Sequence, residues 1–148
     1  MASISRSRTI AVPPESVWAV LDDFGSIASW APTVDHSCLL RSGPTGPVGT
    51  ERRLQVGRQA LVERITEHTP PSALAYRIEG LPRLLGEVSN RWTLRPAAGA
   101  TVVTLTSTVH IGARPWQRAA ERVAARLLAR TSGALLTGLA NRLERTHG

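Results

Sequence analysis

The stretch from Pro115 to about Arg145 limits what this chain can fold into more than any other. It holds no proline after its first residue. Pro115 suits a first helical turn, because its φ is preset and it has no N–H to leave unpaired. Trp116, Ala120, Val123, Leu127 and Thr131 recur at steps of three and four. Ala124, Leu128 and Leu135 run beside them, and Leu139 and Leu143 continue the line. Arg118, Arg122, Arg126 and Arg130 take the other side. This spacing predicts an amphipathic helix with one wide apolar stripe and one basic stripe. At ~1.5 Å per residue it would be roughly 45 Å long. An apolar face of that length needs a large concave partner.

The preceding chain reads as that partner. Ile4 to Val12 predicts a first strand of weak register, since Arg6 and Arg8 share the parity of Ile10 and Val12. Pro14-Glu15-Ser16-Val17-Trp18 opens a short helix to Asp22 or Asp23, with proline at the start and an acid in the first turn. A second short helix over Ser26 to Trp30 stops at Pro32. Val34 to Leu40 predicts a strand, and Arg41 to Gly49, with two Gly-Pro pairs, a loop. Four further strands follow at hairpin spacing: Thr50–Val56, Gln59–Glu67, Ala73–Glu79 and Glu87–Arg95. Thr101 to Ile111 is the cleanest strand. Val103, Leu105, Val109 and Ile111 should face the core, and Val102, Thr104, Thr106, Thr108 and His110 the solvent. Consecutive strands on short turns imply an antiparallel sheet. The predicted class is therefore α+β: one curved antiparallel sheet closed on one long helix.

Composition narrows the chemistry. A chain of 148 residues with 42% apolar content is the size of a single domain over 1–148, with a real core. Cys38 is alone, so no disulfide forms within the chain; a reducing compartment fits, and Cys38 itself reads as a small buried hydrophobe. The N-terminal MASISRSRTI lacks the apolar core of a signal peptide, and no run is long and apolar enough to span a bilayer. The expectation is a cytoplasmic protein. All eighteen basic residues are arginine, and the net charge is +7. Without lysine there is no Schiff base, no pyridoxal chemistry and no Walker A loop. No cofactor is implied.

Several short motifs, in this order, resemble a known family. They are Pro14-Glu15-Ser16-Val17-Trp18, Trp30-Ala31-Pro32, Gly49-Thr50-Glu51-Arg52-Arg53, Val62-Glu63-Arg64-Ile65 before Pro70-Pro71, and Asn90-Arg91-Trp92-Thr93-Leu94 with Gly99-Ala100-Thr101-Val102-Val103. Together they resemble the Bet v 1-like, START-like (SRPBCC) superfamily and its polyketide cyclase/dehydrase and lipid-transport group. The resemblance implies a helix-grip fold: a seven-stranded curved antiparallel sheet wrapped round the C-terminal helix, with two short helices after the first strand. It also implies an apolar cavity between sheet and helix. Members bind lipids, polyketides, hormones or quinones, and some catalyse cyclisation or dehydration.

No catalytic constellation is visible. His36, His68, His110 and His147 do not pair at metal spacing, and one cysteine cannot complete a zinc site. No metal site is expected. Four polar residues fall on core-facing parity: Arg52 with Leu54 and Val56, Glu63 between Leu61 and Ile65, Tyr76 between Leu74 and Ile78, and Asn90 between Val88 and Trp92. Apolar walls with a few oriented polar groups make a small-molecule site. Arg52 and Glu63 sit on strands joined by a hairpin and can pair, either for a ligand or only to hold strand register. The candidate ligand-binding set is Trp30, Arg52, Glu63, Tyr76, Asn90, Trp92, Leu128 and Leu135. For the aromatic members core packing competes with ligand contact.

Gly133 and Gly138 each cost a helix ~1 kcal/mol relative to alanine, so they mark room for a ligand or a close strand, or else a kink. Leu81, Leu84 and Leu85 make an apolar loop fit for a lid or for the core. The Arg118–Arg130 row reads as a solvated face, an anionic-membrane surface or an RNA surface. The lack of interleaved aromatics argues against nucleic acid. Three readings stay open: a binder or carrier of an apolar small molecule, a cyclase or dehydrase on the same fold, and an interaction protein docking through its arginines.

Overall fold

The computed structural model describes residues 2–81 and 86–147. Strand β1 (Ala2–Ile10) leads to helix α1 (Pro14–Asp22) and a 3-10 segment (Phe24–Ser29). Then come β2 (His36–Arg41), β3 (Glu51–Val56), β4 (Gln59–Thr69), β5 (Ala73–Glu79), β6 (Glu87–Ala97), β7 (Ala100–His110) and helix α2 (Pro115–His147). The strands form one seven-stranded sheet in the order β1-β7-β6-β5-β4-β3-β2. Every pairing is antiparallel. This is the expected helix-grip architecture.

Local chemistry explains the elements. Pro14 opens α1, and its i, i+1, i+4 cluster Val17, Trp18 and Leu21 is buried. The β3–β4 hairpin turns at Gly57, whose φ of +60° is strained for residues with a Cβ. On β7, Val103, Leu105 and Val109 are fully buried, and the alternate residues are not. Edge strand β1 departs from this alternation. Its outer hydroxyls Ser3, Ser5 and Ser7 bond to Thr108, Thr106 and Thr104 of β7 at 2.9, 2.8 and 2.8 Å. Arg6 and Arg8 share the inward parity of Ile10 yet remain exposed at the rim. Inward-pointing charge on an edge strand discourages pairing with another sheet.

The main core lies between the concave face of the sheet and the C-terminal half of α2. Leu135, Leu136, Leu139, Ala140 and Leu143 pack with Ile10, Trp92, Leu94, Val103 and Leu105. Gly138 is where the helix meets the chain after the 3-10 segment, since a Cβ there would overlap the Trp30 carbonyl and the Pro32 ring. A Cβ at Gly133 would meet nothing. Neither glycine makes room for a strand.

Two sequence expectations differ from the structure. The buried face of the N-terminal half of α2 is shifted from the predicted stripe. Ala124 of the second row is buried with Ala125 and Ala129, which lie in neither row, and Leu128 is half-buried, whereas Trp116, Val123 and Leu127 of the first row are 60%, 59% and 61% exposed. The apolar stripe is wider than the sheet surface available, so the first row is left outside. Cys38 is exposed rather than buried, because it lies on β2, the edge strand opposite β1, with its outward side uncovered. The expectations for Leu84, Leu85 and the His147 side chain lie outside the described residues.

Candidate functional site

A cavity of about 280 Å³ separates the sheet from α2. The sheet contributes apolar Leu54, Val56, Leu61 and Ile78 and polar Glu63, Tyr76, Asn90 and Ser107. Helix α2 contributes Leu128, Thr131, Ser132 and Leu135. Ile27, Thr33, Val34 and Leu81 complete the lining. Glu63, Tyr76, Asn90, Leu128 and Leu135 of the sequence-derived set therefore meet at one surface.

The hairpin register places Arg52 opposite Glu63. Arg52 Nε and Nη2 donate to Glu63 Oε1 at 2.8 and 2.5 Å, and Nη1 donates to the Phe24 carbonyl at 2.9 Å. The guanidinium carbon lies 3.7 Å from the Phe24 ring centroid and 4.7 Å from that of Tyr76. Both charged residues are buried, at 2% and 4% exposure. A charge removed from water is costly unless hydrogen bonds replace its hydration, and these contacts do so for the guanidinium. Arg52 does not line the cavity; it stands behind Glu63, which does. Burial pushes the Glu63 carboxyl above the ordinary carboxylate range, against the charge and hydrogen bond of Arg52.

A second polar group runs across the sheet to the helix. Trp92 Nε1 and Asn90 Nδ2 both donate to the Tyr76 hydroxyl oxygen, at 3.2 and 3.4 Å. Ser107 Oγ donates to Asn90 Oδ1 at 2.6 Å, and the Ser132 and Ser107 hydroxyls are 3.1 Å apart. The proton order follows from the inventory of donors. Ser107 gives its only proton to Asn90, so Ser132 donates to Ser107. Tyr76 accepts twice, and neither bond uses its own proton. Burial first, and the nearby Glu63 carboxyl second, raise the Tyr76 phenol above its ordinary value, so it stays protonated.

Trp30 and Trp92 do not line the cavity. Their rings meet edge to face with centroids 6.0 Å apart, so Trp30 shapes the core and Trp92 positions Tyr76. Trp30 Nε1 is buried without a hydrogen-bond partner among the described residues. His68 bonds Asp22 at 2.7 Å, and His110 lies 3.6 Å from Glu121. Neither histidine reaches the cavity lining. The sequence reading missed Ser107 and Ser132. Ser107 was legible, since it shares the parity of Leu105 and Val109. Ser132 was not, because its role depends on which helix row faces β7.

Comparison with known proteins agrees with this architecture. The chain resembles an aromatase/cyclase, Zhui, from Streptomyces sp. R1128 (TM-score 0.80, 23% identity, covering 99% of this chain and 96% of that one). It also resembles a Thermobifida fusca protein solved by NMR (TM-score 0.78, 27% identity, 98% and 95% covered). A START superfamily protein from Mycobacterium smegmatis shares the fold at 15% identity (TM-score 0.78, 97% and 98% covered). No curated protein matches the chain. The family model described as polyketide cyclase / dehydrase and lipid transport matches residues 1–144. With its seven-stranded grip on a long helix and a cavity between them, this chain belongs to the polyketide cyclase/dehydrase and lipid-transport family.

Proposed function

We propose that this protein binds an apolar small molecule carrying a hydrogen-bond acceptor, in the cavity between the sheet and α2. The observation that carries this reading is the cavity lining: apolar walls from Leu54, Leu61, Leu128 and Leu135 around a protonated Tyr76. Apolar walls supply affinity by burial, and an oriented donor supplies orientation. Asn90 and Trp92 hold the Tyr76 oxygen from behind, so a ligand carbonyl or ether oxygen is the natural acceptor for its proton. Native mass spectrometry of protein purified from its own cells should show a bound apolar molecule. Anilinonaphthalene sulfonate should fluoresce on binding, and Leu128→Trp, which fills the cavity, should abolish that signal. A protein that arrives empty and leaves the dye dark would sink the reading.

One observation favours a cyclase or dehydrase as the second reading. Glu63 and Tyr76, two groups able to exchange protons, line the same cavity. Under this reading Glu63→Gln and Tyr76→Phe abolish turnover of a polyketide thioester while dye binding persists. Unchanged turnover in both variants would reject those roles.

A further inference from the structure

The N-terminal half of α2 carries an apolar row that the described residues leave exposed. Trp116, Val123 and Leu127 are the large exposed hydrophobics of this helix, each about three-fifths accessible. At ~3.6 residues per turn they fall on one face. Arg122, Arg126 and Arg130 are also exposed and occupy the adjoining face. Between Gly112 and Leu143 the chain holds a single acid, Glu121, and it is buried; the other acid of α2, Glu144, lies near the far end of the helix. The accessible surface of this segment is therefore apolar and cationic, with no accessible negative charge.

We infer that this face of α2 docks on an anionic lipid bilayer. A row of tryptophan and aliphatic side chains beside a row of arginines suits the headgroup boundary, where apolar groups enter the acyl region and arginines meet phosphates. The charge selects against a second copy of this chain, because a two-fold contact would bring two arginine rows together. An RNA would leave the aliphatic row uncovered. The position adds a purpose. Leu128 and Thr131 line the cavity, Thr131 is exposed, and Leu127 adjoins them. Docking would set the cavity beside the bilayer, where an apolar molecule can pass without crossing water. The docking itself does not depend on what the cavity binds.

The full chain can be tested by flotation with vesicles of phosphatidylcholine alone and of phosphatidylcholine with phosphatidylglycerol. Binding should need phosphatidylglycerol and weaken with salt. Arg122→Gln, Arg126→Gln and Arg130→Gln together should weaken it about a hundredfold, at the usual worth of a basic residue near an anionic surface. A charge-matched control, Arg8→Gln, Arg58→Gln and Arg95→Gln, should weaken it far less. Trp18, Trp30 and Trp92 are buried, so a blue shift of tryptophan emission on vesicle binding reports Trp116. That shift should vanish in Trp116→Phe, while circular dichroism stays unchanged. Equal losses in the two triple variants, or vesicle binding without the shift, would overturn the inference. So would a shift produced by RNA and not by vesicles, or a dimer in sedimentation velocity that Leu127→Ser dissolves.

Discussion

The two walls of the cavity are held in place by different physics. The sheet wall is fixed by polar contacts: the Arg52–Glu63 pair on the β3–β4 hairpin, and the Tyr76, Asn90 and Ser107 bonds across β5, β6 and β7. The helix wall is fixed mostly by apolar packing: large leucines in its C-terminal half, and only small or partly buried side chains, Ala124 and Leu128 against Val88 and Val109, in its N-terminal half. Leu139 and Ala140 are fully buried, while Leu127, three turns earlier, is 61% exposed. Hydrogen bonds in a buried site set position, because each donor has one partner direction. Apolar contacts set proximity with little direction. The sheet wall thus defines where a ligand group must point, and the helix wall defines how much room it has.

The largest expected effect tests the sheet wall. Arg52→Ala removes the partner of a buried carboxyl and should cost about 3–5 kcal/mol in urea unfolding at neutral pH. The cost should shrink as pH falls. Burial already holds the folded-state Glu63 pKa above its ordinary 4.5, and losing Arg52 raises it further. In such a group the folded protein binds more protons than the unfolded one above 4.5, so stability falls as pH rises through that range. A penalty that grows toward low pH would contradict this account of the wall.

Next comes the helix wall. Leu139→Ala should cost about 2–5 kcal/mol, whereas Leu127→Ala should stay within about 0.5 kcal/mol. Similar losses at both sites would erase the difference between the halves of α2. The two helix glycines sharpen the same contrast. Gly138→Ala forces a methyl onto the Trp30 carbonyl and should destabilise by roughly 1–3 kcal/mol, because backbone cannot move aside as a side-chain end can. Gly133→Ala meets open space and should stabilise by about 0.5–1 kcal/mol through helix propensity. The smallest effect belongs to the surface pair Glu67–Arg91, bonded at 2.8 Å on exposed side chains. The Arg91 hydrogen bond lowers the Glu67 pKa, so its contribution is present above the ordinary 4.5 and fades as pH falls. Glu67→Gln should therefore lower the thermal midpoint slightly at pH 7 and not at pH 3.

Much of this architecture is legible in the sequence. The alternation of Thr101–Ile111, the hairpin spacing and the long C-terminal periodicity specify an α+β sheet closed on a helix. Core-facing parity brought Arg52, Glu63, Tyr76 and Asn90 forward, and four antiparallel registers made it true. What the sequence determined by itself is periodic: which residues share a strand face, and which helical rows are apolar. Only the tertiary structure decided which apolar row of α2 the sheet would cover. It also decided that Arg52 stands behind Glu63 rather than in the cavity, and that Trp92 holds Tyr76 instead of lining the site. The physical reason is that periodicity is a property of one element, set by its own backbone geometry. The choice between two rows, or between the front and back of a buried pair, depends on the shape of a second surface. That surface is built by residues far away in the chain.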